Sequence, residues 1–152
     1  LELWVRRYIG FVTIGGGVLG LATVASYFSQ QLALEQWTLV FTICAFYVWS
    51  SIVGLLVLEG KSSKKVAFQA LIIQLIQIPV ISLPIITYQV ATGLHLDFIY
   101  STHKSFFLSA KFGSKFSLGF FNGGQLIVIG ANLAAIFGAI IIAKYVLSST
   151  KR

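Results

Sequence analysis

Four long apolar runs constrain this chain more than any motif in it. They cover positions 8–28, 37–58, 66–92 and 123–147. A helix needs about 20 consecutive apolar residues to cross a bilayer core, and each run reaches that length. The charge content agrees. Only 10% of the 152 residues are charged, against about 25% in a soluble domain. The sequence therefore predicts an all-α integral membrane protein. Its four transmembrane helices form one bundle and one domain, 1–152. A small β-hairpin-like extracytoplasmic loop, 93–122, lies between helices three and four.

The net charge is +7, and the cations flank the apolar runs. With both termini inside, the cytoplasm receives Arg6, Arg7, Lys61, Lys64, Lys65, Lys144, Lys151 and Arg152. The outside receives only Lys104, Lys111 and Lys115, all in the long loop. Positive residues stay on the cytoplasmic side, so the expectation is cytoplasmic N and C termini. The compact loops suit a bacterial inner (plasma) membrane. Since no basic face exists apart from these flanks, nucleic acid is not an expected partner. Arg6-Arg7 ahead of an apolar run, with Ala25 as a cleavage residue, imitates a signal peptide. The run of 21 residues is too long for its apolar region, however. The absence of Met at Leu1 suggests a trimmed start.

The third run is the most unusual. It reads QALIIQLIQIPVISLPIITYQVAT over 69–92 and contains both prolines, Pro79 and Pro84. On a helical wheel Gln74, Gln77 and Tyr88 share one face. Amides inside lipid need partners, so this face is expected to meet other helices or water. Each proline removes a backbone donor and should kink the helix between 78 and 84. Free carbonyls beside amides are the materials of transporter sites. The competing reading is a bent structural helix whose glutamines bond to Asn132, Tyr47 or Ser51. No acidic, basic or histidine side chain falls in the middle of a span, which argues against proton movement.

Small residues mark helix contacts. Gly16 and Gly20 form a GxxxG pair in the first run. In the fourth, Gly130, Ala134 and Gly138 are spaced by four, as are Ala131, Ala135 and Ala139. Such rows let helix backbones approach closely.

The 94–120 stretch changes period. Leu94, Leu96, Phe98 and Tyr100 alternate with His95, Asp97 and Ile99. Phe106, Leu108, Ala110, Phe112, Ser114, Phe116, Leu118 and Phe120 continue on one face, with Phe107 the exception, which predicts a small β-hairpin or meander. An interfacial helix is the rival, since Phe112, Phe116 and Phe120 are also four apart, but interior glycines and serines weigh against it. A turn near 101–104 could bring His103 back to His95 and Asp97 as a three-ligand metal site. The spacing is not diagnostic, and no metal or cofactor is expected. Nor is catalysis expected, because no nucleophile motif such as GxSxG occurs. Cys44, the single cysteine, reads as a small packing residue.

The functional expectation is a non-catalytic multi-pass membrane protein. Its partners would be the lipid bilayer and either further copies of itself or other membrane subunits, met through small-residue helix faces and the Phe-rich loop. The alternative is a small oligomeric channel or transporter for a neutral solute or cation. Its path would be lined by the polar face of helix three: Gln74, Gln77, Pro79, Pro84 and Tyr88, with Asn132.

Overall fold

The computed structural model describes residues 2–29, 31, 33–60, 63–120 and 127–148. The start of the fourth apolar run (123–126), Lys61, Lys151 and Arg152 lie outside the described residues.

Among the described residues there are four α-helices, two of them long. α1 (Leu3–Ala25) continues through a 3-10 turn (Ser26–Ser29), and α2 follows (Leu34–Leu58). At 1.5 Å per residue they measure roughly 35 and 38 Å. Both are long and apolar enough to cross a bilayer. α3 (Lys64–Ile76) and α4 (Leu133–Ser148) are shorter, roughly 20 and 24 Å, and neither meets that length.

The rest is a six-stranded sheet, which overturns the all-α four-helix bundle. Its strands are β1 (Pro79–Ser82), β2 (Ile86–Ala91), β3 (Leu94–Ser101), β4 (Ser105–Phe112), β5 (Lys115–Phe120) and β6 (Val128–Asn132). All pairings are antiparallel, in the order β4-β3-β6-β1-β2-β5. The expected third span divides at Gln77. Helix α3 ends there, Pro79 opens β1, and Pro84 sits in the β1–β2 turn closed by the Leu83 N–H to Ile86 carbonyl bond (2.7 Å). A proline is tolerated as a first strand residue or in a turn, where its missing N–H goes unused. The fourth span divides too, with 128–132 in β6 and the helix beginning at Leu133. The description as a multi-pass four-helix bundle falls with it.

Two apolar cores hold the helices. The first joins all four through Val5, Ile9, Val53, Val57, Ala67, Ala70, Ile73 and Ile142. The second lies between the far halves of α1 and α2, where Val24, Val40, Ile43 and Tyr47 receive Phe116 of β5. The N-terminus of α1 sits beside the end of α2, since Arg6 donates to the carbonyls of Val57 and Leu58 (3.3 and 3.0 Å). Tyr145 and Val146 of α4 pack on the same core. Arg6, Arg7, Lys64, Lys65 and Lys144 therefore share one end of the helix group, and the sheet occupies the other.

Glycines set how closely the sheet approaches. Gly93, at φ +78°, makes the β2–β3 turn, and that turn presses on α1 at Gly16. Ser114, between β4 and β5, donates its hydroxyl to the Gly16 carbonyl. The sheet thus begins alongside the middle of α1.

Candidate functional site

The sheet is inverted in polarity. Register places Leu94, Leu96, Phe98 and Tyr100 of β3 on one face with Phe106, Leu108, Ala110 and Phe112 of β4 and Ile129 and Ala131 of β6. Most of these are exposed: Phe98 is 47%, Phe106 66%, Leu108 59% and Phe112 68% accessible. The opposite face carries His95, Asp97, Asn132, Gln89 and Ser101, all buried. An antiparallel sheet in water buries its apolar face. Here alternation has been read the other way.

The polar face is also the concave one. Gln89 on β2 and Asp97 on β3 are three strand positions apart, which in a flat sheet is roughly 14 Å. Yet Gln89 Nε2 donates to Asp97 Oδ2 at 2.9 Å. Only a strongly coiled sheet allows that contact.

The residues singled out by the sequence gather where α3 and α4 meet the sheet. Gln77 caps the end of α3. Its Nε2 donates to the Ile73 carbonyl (3.1 Å), and its Oε1 accepts from the N–H and hydroxyl of Thr92 (2.9 and 3.0 Å). Tyr88 donates to the Ile76 carbonyl at 2.6 Å. Asn132 caps α4, its Oδ1 accepting from the N–H groups of Leu96, Ala134 and Ala135 (3.2, 3.1 and 3.2 Å). These are helix-end duties, because terminal N–H and carbonyl groups lack intrahelical partners. Gln74 is buried against Gly138. Pro79 and Pro84 belong to the sheet and its turn, so no helical Gln/Pro face exists to line a path.

The small residues are consumed within the chain. Gly16 meets Thr92 and Gly93, and Gly20 lies under the Tyr47 ring. Gly130 and Ala131 belong to β6 while Ala134, Ala135, Gly138 and Ala139 belong to α4, so the row spaced by four crosses a strand–helix boundary. Ala135 and Ala139 are buried, and Ala131 and Ala134 half-buried.

His103 does not join His95 and Asp97. It lies in the exposed β3–β4 turn, and about 20 Å of strand separates His95 from Ser101, where that turn begins. No group of three or more His, Cys, Asp or Glu that could hold a metal occurs among the described residues. The ring nitrogens of His95 have no hydrogen-bond partner among the described residues, and none of the described serines bonds to it. Cys44 is half-buried.

Sequence reasoning missed a cavity of about 340 Å³ between α1, α2 and β5. Val24, Val40, Ile43, Phe116 and Leu118 form its apolar walls, with Gln36 and Tyr27 at the helix ends. Its parts come from three distant stretches, and no local pattern announces it. Against known proteins the chain matches no family model, no curated protein and no solved structure.

Proposed function

We propose that this chain is a non-catalytic membrane subunit, held in the bilayer by the α1–α2 hairpin, that assembles with a second copy of itself through the β4 edge of its sheet. The inverted polarity of the sheet carries this reading. A sheet with Phe98, Phe106, Leu108 and Phe112 outside and Asp97, Asn132 and Gln89 inside is arranged for an apolar surrounding. Apolar-out and polar-in alternation is the pattern of strands that face lipid. The sheet starts level with Gly16, midway along α1, so a bilayer around α1 surrounds part of the sheet as well.

Assembly follows from the edges. Open sheet edges do not occur facing lipid, because unpaired backbone groups cost several kcal/mol each there. β5 sets Phe116 against the helix pair. β4 is an edge strand, exposed along most of its length. A second copy placed antiparallel on β4 closes that edge and continues the apolar face. A two-fold pairing centred on Leu108, near the middle of the strand, brings that residue opposite its own copy. The cluster of Arg6, Arg7, Lys64, Lys65 and Lys144 at one end supports cytoplasmic termini in a bacterial inner membrane.

Alkaline carbonate extraction tests the first part: the chain should remain in the membrane pellet. Cysteine cross-linking tests the second. In a Cys44→Ser background, Leu108→Cys should give a product of twice the monomer mass in native membranes. Release by carbonate sinks the membrane reading. A Leu108→Cys product only with a chain of different mass sinks self-assembly in favour of another subunit.

A further inference from the structure

Three neighbouring side chains on the concave face carry polar atoms that nothing described satisfies. They are both ring nitrogens of His95, Oδ1 of Asp97 and Nδ2 of Asn132. His95 and Asp97 are each 3% exposed and Asn132 1%. Asp97 and Asn132 are register partners across β3 and β6. His95 is two residues from Asp97 on β3, on the same face and about 7 Å away.

We propose that His95 and Asp97 bind one divalent first-row metal ion, such as Zn²⁺ or Co²⁺, with Asn132 donating to a metal-bound water. The charge argument comes first. Buried carboxylates are normally paired or coordinate metals. Asp97 has one neutral donor, Gln89, on Oδ2, and nothing on Oδ1, Lys111 across the ladder included. A bare His–Asp pair does not account for the arrangement, since neither His95 nitrogen bonds to Oδ1. A cation between the two satisfies both.

Ligand chemistry narrows the cation. Imidazole nitrogen with carboxylate oxygen suits zinc-like ions, bound at about 2.0–2.2 Å. Magnesium keeps its waters and favours oxygen ligands. Gln89 steadies the oxygen not used for coordination, as outer partners of ligating carboxylates do. Asn132 Oδ1 is committed to three backbone N–H groups. Its amide NH₂ is thereby fixed in orientation and needs an acceptor, which a metal-bound water supplies. Two protein ligands leave the remaining positions to water. The site does not depend on the membrane reading.

The test uses full-length protein, tag removed and treated with chelator, in detergent. Co²⁺ titration read by visible d–d absorption, and equilibrium dialysis with Zn²⁺, should give one equivalent bound, with Mg²⁺ not competing. Asp97→Asn and His95→Gln should each weaken Zn²⁺ binding at least 10-fold, whereas His103→Ala should leave it unchanged. Asp97→Asn keeps an acceptor for Gln89, so it decides the matter if His95→Gln fails to fold. No binding to wild type, binding unaffected by Asp97→Asn, or binding lost in His103→Ala overturns the proposal.

Discussion

Gly15 and Gly16 are neighbours on α1, and alanine at the two should act in opposite directions. A Cβ at Gly15 meets nothing within 4 Å. There Gly15→Ala gains only helix propensity, up to about 1 kcal/mol. A Cβ at Gly16 lies 2.6 Å from Thr92 Cα and closer still to the Gly93 backbone nitrogen. These are main-chain atoms, so no rotamer change relieves the overlap. The turn or the helix must move by roughly 1 Å. Overpacking of this kind costs about 1–3 kcal/mol, and propensity returns at most about 1 of it. The Gly16→Ala protein should be less stable than wild type by about 1–2 kcal/mol, and the two variants should differ by about 2–3. For a chain of this size each kcal/mol moves Tm by about 2–4 °C. Thermal unfolding in detergent, followed by far-ultraviolet circular dichroism, separates them. Should Gly16→Ala match or exceed wild type in Tm, the β2–β3 turn does not rest on α1 at that point, and the placement of the whole sheet would be wrong.

Other outcomes follow from the same contacts. Asn132→Ala strips three N–H groups of their acceptor, so Tm should fall by the equivalent of about 1–2 kcal/mol. Tyr88→Phe removes one bond to the Ile76 carbonyl and should cost about 1 kcal/mol. Leu108→Lys should abolish the doubled-mass cross-link (read from Phe106→Cys with Ala110→Cys, which face each other across that pairing) while leaving the chain carbonate-resistant. Loss of both together would mean only that the fold had failed.

The sequence was legible where periodicity was unambiguous. The runs at 8–28 and 37–58 correspond to long helices, and the alternation over 94–120 to β3, β4 and β5. Elsewhere a continuous apolar run was read as one helix. Apolar continuity cannot distinguish a helix from buried strands, and 66–92 is a helix followed by two strands. The local signals were there: Ile86, Tyr88 and Val90 alternate with Thr87, Gln89 and Ala91, while Pro79 and Pro84 bracket β1. In the fourth run, asparagine before Leu133-Ala134-Ala135 has the form of a helix start, yet the row Gly130, Ala134, Gly138 outweighed it. The polarity of the sheet was visible as alternation, but which face pointed inward was not. That depends on the coiling that brings Gln89 to Asp97, a contact between strands three positions apart in the sheet. Gln74, Gln77, Tyr88 and Asn132 lie at helix ends and not along one helix, and Gln77 bonds to Ile73 and Thr92, not to the expected Asn132, Tyr47 or Ser51.

The switch from helix to strand happens at one level in two adjacent segments, and this explains why these residues meet. α3 runs into β1, and β6 runs into α4, while β1 and β6 are paired with Pro79 opposite Ala131. Proline at 79 offers no N–H to the Leu75 carbonyl. The Ile78 N–H takes that carbonyl in a tighter turn at 3.2 Å, and α3 ends. On the neighbouring segment the Asn132 N–H goes to the Ile78 carbonyl at 2.9 Å, while its side chain starts α4. Each residue thus resolves the loose backbone groups of its own transition, and one bond ties the two transitions together. If the bilayer reading holds, this junction lies at membrane depth, where every such group must be satisfied within the protein. Gln77, Tyr88 and Asn132 are polar because the backbone changes form there, and that requirement accounts for the amides in an otherwise apolar run without a transport path.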